Sequence, residues 1–211
     1  MPAPEPHSPA VAQPDAGEAN VERAYAQSQV SPWTFREKVG RALWIIVRGS
    51  LFRFSWHNWY GWRRFLLRCF GARIGTSVNV RPTTRIEIPW LLSVGDYCSL
   101  GDYAVVYNLG QITLGRRVTV SQYAQLCAGT HDYTKPELPL LRPPISIDDN
   151  AWIAACAFVG PGVRVGQGAI LGACGVAFKN LAPWTIYAGN PAHAVKERTP
   201  LPGTEPRSAG L

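Results

Sequence analysis

The stretch IDDNAWIAACAFVGPGVRVGQGAILG, residues 147–172, repeats one pattern every six positions. The aliphatic residues that lead the successive units are Ile147, Ile153, Val159, Val165 and Leu171. Six is a multiple of the strand period of two and fits no helical period, so every leader points to the same side of an extended chain. Each unit is therefore predicted to be a short flat strand followed by a corner.

The same pattern extends upstream. The earlier leaders are Ile74, Val80, Val94, Leu100, Val106, Leu114, Val120 and Leu126. Three units close a triangle of roughly 18 residues, and stacked triangles bury their leaders in one continuous core. The sequence thus predicts an all-β solenoid of hexapeptide repeats over residues 74–198. The repeat period does not determine its handedness.

The rhythm stops in LCAGTHDYTKPELPLLRPPISI, residues 126–147. His131 stands at the break, and the following excursion, residues 132–145, contains four prolines. A closed triangular coil has flat faces and no pocket, so an excursion is needed to build a wall beside a functional group. The break therefore marks the predicted site.

Residues 31–73 differ in composition from the repeats. They contain five of the eight tryptophans and nine of the 21 Lys and Arg residues, but one acid. Apolar residues recur there at helical spacing in two groups, which are Phe35, Val39, Leu43, Ile46 and Val47, and then Trp62, Phe65, Leu66 and Phe70. We predict two amphipathic helices around an aromatic turn.

Two roles for this segment are open. Basic residues beside Trp and Phe favour the headgroup region of an anionic membrane, with Arg53, Arg63 and Arg64 as accessible cations. The same helices could instead cap the first coil of the solenoid, which would otherwise expose apolar side chains and a pairing edge. The two roles are compatible.

The formal net charge of +7 is concentrated in that segment, so the repeats have no basic face for nucleic acid. The five cysteines form an odd set without a CxxC pair, which indicates a reducing compartment rather than a disulfide framework. Residues 1–30 have neither a cationic start nor an apolar core, so we expect no signal peptide. The predicted location is cytoplasmic, with peripheral contact at the inner face of the membrane. Residues 1–30 and 199–211 are predicted to be disordered tails.

The repeats, the THD of residues 130–132 and the closing PWTIYAGNPAHAVKER of residues 183–198 resemble the hexapeptide-repeat acyltransferases. The basic aromatic lead-in is similar to that of the colanic acid biosynthesis acetyltransferase branch. The resemblance covers about residues 33–198. It implies a left-handed parallel β-helix and a homotrimer with active sites between its subunits.

The resemblance also implies that His131 is the general base. A sugar hydroxyl attacks a thioester poorly until its proton is removed, and imidazole suits that task near neutral pH. The thiolate leaves readily, so no covalent intermediate is needed. Asp132, a more distant acid and a backbone carbonyl are all candidates to orient the ring. Asn108 matches the family asparagine that helps to hold the acceptor hydroxyl, although a turn asparagine is the alternative.

Acetyl-CoA is the donor that the family uses, in a groove between subunits. Residues that match its donor contacts are Ala155, Ala173, Lys179 and Trp152, with Lys196 as a candidate phosphate partner. Two departures weaken the match at the phosphate end. Phe178 stands where a small hydroxyl residue often precedes the lysine, and His193 stands where arginine is common.

Other chemistries are disfavoured by the sequence. Cys127 follows a leader, where a small residue is required sterically, so it is not predicted to be a nucleophile. His7, His57, His131 and His193 are too scattered to share a zinc ion, and no metal is predicted. This also disfavours the carbonic-anhydrase-like relatives, which assemble zinc from three histidines.

We therefore predict an O-acetyltransferase that acts on a sugar, or a lipid-linked sugar, of a surface polysaccharide. One alternative keeps the chemistry and changes the acceptor to a xenobiotic such as an antibiotic hydroxyl. A second alternative is a non-catalytic solenoid scaffold. The basic aromatic segment disfavours the first, because a soluble acceptor needs no membrane contact. The joint presence of His131, Asn108 and Lys179 disfavours the second.

Overall fold

The computed structural model describes residues 33–200, Arg23, Ser31 and Pro202. The two predicted tails therefore lie outside the described residues, apart from Arg23, Thr199, Pro200 and Pro202.

The chain divides into two compact units. The larger comprises Trp33–Thr130 and Leu140–Leu211. The smaller comprises Met1–Pro32 and His131–Pro139, and so contains most of the predicted excursion.

Two α-helices precede the strands. Helix α1, Phe35–Val47, begins at a capping box in which Thr34 Oγ1 accepts a hydrogen bond from the Glu37 backbone N–H. The Glu37 carboxylate accepts in return from the Thr34 backbone N–H at 2.8 Å. Helix α1 continues into a π-helical turn, Arg48–Phe52, and helix α2 spans Tyr60–Cys69. Both predicted helices are present.

Short strands make up the rest of the larger unit. Within the described residues, strands β1 to β19 are, in order, Arg73–Ile74, Asn79–Val80, Arg85–Ile86, Leu92–Val94, Ser99–Leu100, Val105–Tyr107, Ile112–Leu114, Thr119–Val120, Gln125–Cys127, Thr130–His131, Leu140–Leu141, Ile145–Ile147, Trp152–Ile153, Phe158–Val159, Arg164–Val165, Ile170–Leu171, Val176–Ala177, Thr185–Ala188 and His193–Glu197.

All of these strands except β10 and β11, which pair in a separate two-stranded sheet, and the antiparallel β19 form three parallel sheets, one for each side of a triangular coil. The first sheet has the order β1-β4-β7-β12-β15, the second contains β2-β5-β8-β13-β16-β18, and the third β3-β6-β9-β14-β17. Strand β19 adds antiparallel to β18 at the end of the second sheet. Leaders stack on leaders, as in the pairing of Ile74 with Val94 and of Val94 with Leu114. The predicted solenoid core is confirmed.

Coil length differs from the prediction in the early coils. Val94 and Leu114 follow their stacked partners by 20 residues, whereas Val165 follows Ile147 by 18. The extra residues lie at the third corner, where a 3-10 turn occupies Pro89–Leu91. The buried Ile86 precedes this turn and lies six residues after Val80, so it is a further leader that the sequence analysis did not include.

The corners explain two features of the repeat. The third residue after a leader adopts a positive φ at Ser77, Tyr97, Tyr103, Arg117, Tyr123, Asn150, Cys156, Gly162, Gly168, Cys174 and Trp184. Glycine after a leader has a steric reason, because a Cβ on Gly95 would lie 2.5 Å from the Gly115 oxygen of the next coil.

Helix α1 packs through the side opposite its predicted apolar stripe. Trp44 is fully buried, and its indole Nε1 donates to the Ile86 backbone oxygen at 2.8 Å. Four residues of the stripe are exposed, from Phe35 at 80% to Ile46 at 66%, whereas the fifth, Val47, is half-buried against the core. Tertiary contacts therefore place the amphipathic face of α1 on the surface of this chain.

Helix α2 covers the first coil. Leu66 and Leu67 are buried, and Arg63 is fully buried between them and the strand β2. The guanidinium of Arg63 donates to the Val80 oxygen, and Arg64 donates to the Val78 oxygen. The sequence prediction that Arg63 is an accessible cation is wrong, because its donors bind backbone oxygens that the cap would otherwise leave unpaired.

Candidate active site

His131 lies in the smaller unit with an exposed imidazole. Its Nδ1 lies 2.5 Å from the Leu138 backbone oxygen. A carbonyl oxygen only accepts hydrogen bonds, so Nδ1 carries the hydrogen and the lone pair of Nε2 stays free. Leu138 has a positive φ of 47°, a costly conformation for a branched residue. This backbone geometry holds the imidazole in the tautomer that a general base needs.

Asp132 has other partners. Its carboxylate accepts hydrogen bonds from the Thr134 hydroxyl at 2.6 Å and from the Thr134 backbone N–H at 3.1 Å. These bonds hold the pKa of Asp132 below its ordinary value. Of the candidates for orienting His131, which were Asp132, a more distant acid and a backbone carbonyl, the one in contact with the ring is the Leu138 carbonyl.

Asn108 is completely buried in the larger unit. Its side-chain oxygen accepts from the backbone N–H groups of Glu87 and Ile88 at 3.2 and 2.9 Å, and its amide nitrogen donates to the Ile88 oxygen. These bonds secure the extended third corner of the early coils. A structural role explains the residue fully in this conformation, and the acceptor contact stays a prediction.

Two of the predicted donor residues lie at one corner of the solenoid. Ala155 and Ala173 occupy equivalent positions between the second and third sheets, and Cys174 N–H donates to the Ala155 oxygen at 2.9 Å. Small side chains at this edge leave room for an extended ligand. Trp152, 44% exposed on the second sheet, donates from Nε1 to Ser121 Oγ at 2.9 Å. The structure therefore brings Ala155 and Ala173 to one corner and leaves Trp152 on the adjoining sheet.

Lys179 and Lys196 both lie near the end of the solenoid and are exposed. A cavity of 290 Å³ is lined by Lys179 together with Phe178 and His193. The two departures from the family pattern thus line the same cavity as the lysine. Lys196 lies on β19, paired with Ile186, and does not line this cavity.

The described residues contain no group of three His, Cys, Asp or Glu side chains that could hold a metal ion. Cys127 is half-buried, with its Sγ 3.4 Å from the Gly129 oxygen. Another cysteine, Cys98, is buried in the solenoid core, and burial raises the pKa of its thiol to about 11.

Solved structures identify the fold. The chain is similar to a hexapeptide-repeat acetyltransferase of Vibrio cholerae complexed with acetyl-CoA, with a TM-score of 0.72, 20% identity, and coverage of 84% of this chain and 97% of that one. A galactoside acetyltransferase in complex with CoA matches with a TM-score of 0.71 and 18% identity, over 84% and 90% of the two chains. The fold is the left-handed parallel β-helix of the hexapeptide-repeat acetyltransferases.

One curated relative identifies the branch. The Escherichia coli (strain K12) protein named as the colanic acid biosynthesis acetyltransferase WcaF is 42% identical over 156 residues, which cover 74% of this chain and 86% of that protein. The chain belongs to this family of acetyltransferases. No protein-family model matches the chain.

An aromatic pair that was not among the predicted site residues lies at the same corner as Ala155 and Ala173. The rings of Tyr103 and Tyr123 stack at 5.2 Å between centroids, with 6° between their planes. The signal was present in the sequence, because each tyrosine is the third residue after a leader, in adjacent coils.

Proposed function

We propose that this protein transfers an acetyl group from acetyl-CoA to a sugar hydroxyl of a surface polysaccharide or its lipid-linked precursor. The 42% identity to WcaF over most of both chains supports the acceptor class. The acetyl-CoA and CoA in the matched structures support the donor. The observation that carries the chemistry is the contact of His131 Nδ1 with the Leu138 oxygen.

In the proposed reaction, Nε2 of His131 removes the hydroxyl proton as the sugar oxygen attacks the thioester carbonyl carbon. The tetrahedral intermediate then collapses, the carbon–sulfur bond breaks, and the CoA thiolate takes up a proton. The products are the sugar acetate and CoA. No acyl group is transferred to the protein.

The direct test is incubation of the purified protein with radiolabelled acetyl-CoA and lipid-linked oligosaccharides extracted from the producing cells. We expect label in an alkali-labile ester on the sugar and none on the protein after denaturation. Labelled protein would contradict direct transfer. If CoA is released when chloramphenicol is the acceptor but not when any sugar is, the result would favour the xenobiotic alternative. If no acceptor leads to CoA release, the result would favour the non-catalytic scaffold.

Lys179 is proposed to contact a phosphate of acetyl-CoA. We predict that Lys179→Ala raises the KM for acetyl-CoA about 5- to 10-fold, because a charge-assisted hydrogen bond is lost. The remaining KM should depend less on salt. Steady-state kinetics at two ionic strengths measure both effects, with Arg116→Ala, an exposed cation on another face, as the control. An unchanged donor KM would move the phosphate contact to Lys196 or His193.

We also propose a homotrimer with the active sites between its subunits. The exposed Trp152 and the small-residue corner support this arrangement, since both would be covered by a neighbouring solenoid. Light scattering coupled to gel filtration distinguishes a trimer from a monomer.

The exposed face of α1 supports the proposed contact with an anionic membrane. Phe35, Val39, Leu43 and Ile46 form one stripe, and Phe54 and Trp56 extend it at 83% and 72% exposure. None of the helices that the structure describes is long and apolar enough to cross a bilayer. An apolar face of this kind suits insertion at the headgroup level.

The charges beside the stripe complement anionic lipid. Arg36 and Lys38 flank it on opposite sides of the helix and, like Arg53, have no ion-pair partner among the described residues. Glu37, the one acid of residues 31–73, is engaged in the capping box. If two copies of the chain packed stripe against stripe about a two-fold axis, these cations would lie close together and repel each other. This disfavours a second copy of the chain as the partner that covers the stripe.

We predict that the protein pellets with vesicles containing phosphatidylglycerol and not with pure phosphatidylcholine. Each accessible cation contributes about 1 kcal/mol, so Arg36→Gln with Lys38→Gln should weaken binding about 10- to 30-fold. Arg116→Gln with Arg164→Gln removes two exposed cations from the solenoid and serves as the matched control. Equal binding of the two double variants would contradict the proposal, as would loss of the oligomer in the α1 variant.

A further inference from the structure

The corner that carries Ala155 and Ala173 continues through the earlier coils without interruption. Backbone hydrogen bonds connect successive coils along this corner. Cys156 N–H donates to Gln122 O at 3.1 Å, and Tyr123 N–H donates to Asp102 O at 3.0 Å. Asp102 and Gln122 therefore occupy the position that Ala155 and Ala173 occupy in the later coils. The corner is one straight column, parallel to the solenoid axis.

The side chains along this column change character halfway. In the two later coils the outward residue is a cysteine, Cys156 or Cys174, beside an alanine. In the two earlier coils it is Tyr103 or Tyr123, about half exposed at 48% and 52%. The column thus consists of a half with small side chains and an adjoining half formed by two stacked rings.

The tyrosines hold a backbone conformation that does not favour them. Tyr103 and Tyr123 have φ values of 58° and 60°, where glycine or asparagine is unstrained. Glycine does occupy equivalent corners at Gly162 and Gly168. The corner imposes this φ on most of its third residues, so what distinguishes Tyr103 and Tyr123 is that both are exposed and that their rings stack on each other.

We infer that Tyr103 and Tyr123 form the acceptor platform, on which the pyranose ring of the sugar lies. This inference rests on the proposed function. A donor that extends along Ala173 and Ala155 meets Tyr123 as the next residue of the column, so the acceptor must approach at this end. The C–H faces of a pyranose complement the negative face of an aromatic ring.

Polar groups for the sugar hydroxyls lie at the same corner. Asp102 accepts a hydrogen bond from the Thr83 hydroxyl at 2.7 Å and lies 3.5 Å from the Arg81 guanidinium. Gln122 is exposed beside Tyr123. An aromatic surface with a few fixed polar groups is the composition expected of a site for an uncharged, hydroxyl-rich ligand.

The test compares Tyr103→Ala and Tyr123→Ala with their Phe counterparts, using acetyl-CoA and a panel of methyl pyranosides as acceptors. We expect the alanine variants to raise the acceptor KM about 3- to 10-fold, and the phenylalanine variants to stay within about twofold of wild type. Donor KM, melting temperature and oligomeric state should not change. Tyr97→Ala is the matched control, because Tyr97 is an exposed tyrosine with φ of 60° at a different corner.

The outcomes separate the platform from the proposed function. Wild-type acceptor KM in both alanine variants would overturn the platform while leaving acetyl transfer to sugars intact. Loss of the oligomer or of thermal stability in those variants would assign the pair to packing and likewise overturn it. A wild-type protein that neither acetylates a pyranoside nor binds one by saturation-transfer NMR contradicts the sugar acceptor itself, and the platform with it.

Discussion

Replacement of His131 by alanine will lower the rate of acetyl transfer by about 10²- to 10⁴-fold, the usual effect of losing a general base. The physical reason is the tautomer that the excursion imposes. With Nδ1 held by the Leu138 oxygen, Nε2 is the one ring nitrogen able to take the hydroxyl proton. Turnover is measured from CoA release, and donor affinity by calorimetry, which should stay near wild type.

Tyr133→Ala provides the matched control for this prediction. Tyr133 lies in the same excursion, is 88% exposed, and is two residues from His131. A general disturbance of the excursion would affect both variants, whereas loss of the base affects His131→Ala alone. Partial recovery of His131→Ala by added imidazole would strengthen the assignment. Near-normal turnover in His131→Ala would show that another group accepts the proton.

Replacement of Arg63 by methionine will lower the free energy of unfolding by about 2–4 kcal/mol, because each buried acceptor that loses its donor costs about 1–3 kcal/mol. The guanidinium donates to Ser55 Oγ at 2.7 Å and to the backbone oxygens of Trp56 and His57 at 2.8 and 2.7 Å. It also donates to the Val80 oxygen on β2. Methionine fills similar space but leaves these acceptors without a donor.

Urea denaturation followed by circular dichroism measures this loss. Arg53→Met removes an exposed arginine of the same segment, and surface substitutions of this kind change stability by no more than about 0.5 kcal/mol. Equal stability of the two variants would mean that water replaces the Arg63 hydrogen bonds and that α2 is not a tightly fixed cap. The pair of variants also separates the two roles predicted for residues 31–73. Arg63 holds the helical segment on the first coil as a cap, whereas Arg53 is one of the exposed cations proposed to contact anionic lipid.

The positions of the helices were predictable, but their buried faces were only partly so. Helical spacing identified both helices, and the stripe of α2 includes the buried Leu66. Arg63 lies three and four residues before Leu66 and Leu67, which was a signal for a buried arginine. In α1 the burial of Trp44 depends on an oxygen that lies 42 residues later in the chain, at Ile86. No local pattern contains that information.

The repeat pattern is sufficient to specify the solenoid, because each leader is placed by its own strand and corner and every coil repeats the same local rule. Equal spacing in successive coils becomes alignment along the axis, which places Ala155 and Ala173 at one corner, while their role and that of His131 stay predictions. Tertiary structure alone decided which face of α1 is exposed, why Asn108 is buried, and which oxygen holds His131. These features depend on backbone groups from distant coils or from a nonrepeating excursion, whose positions are fixed only when the chain has folded.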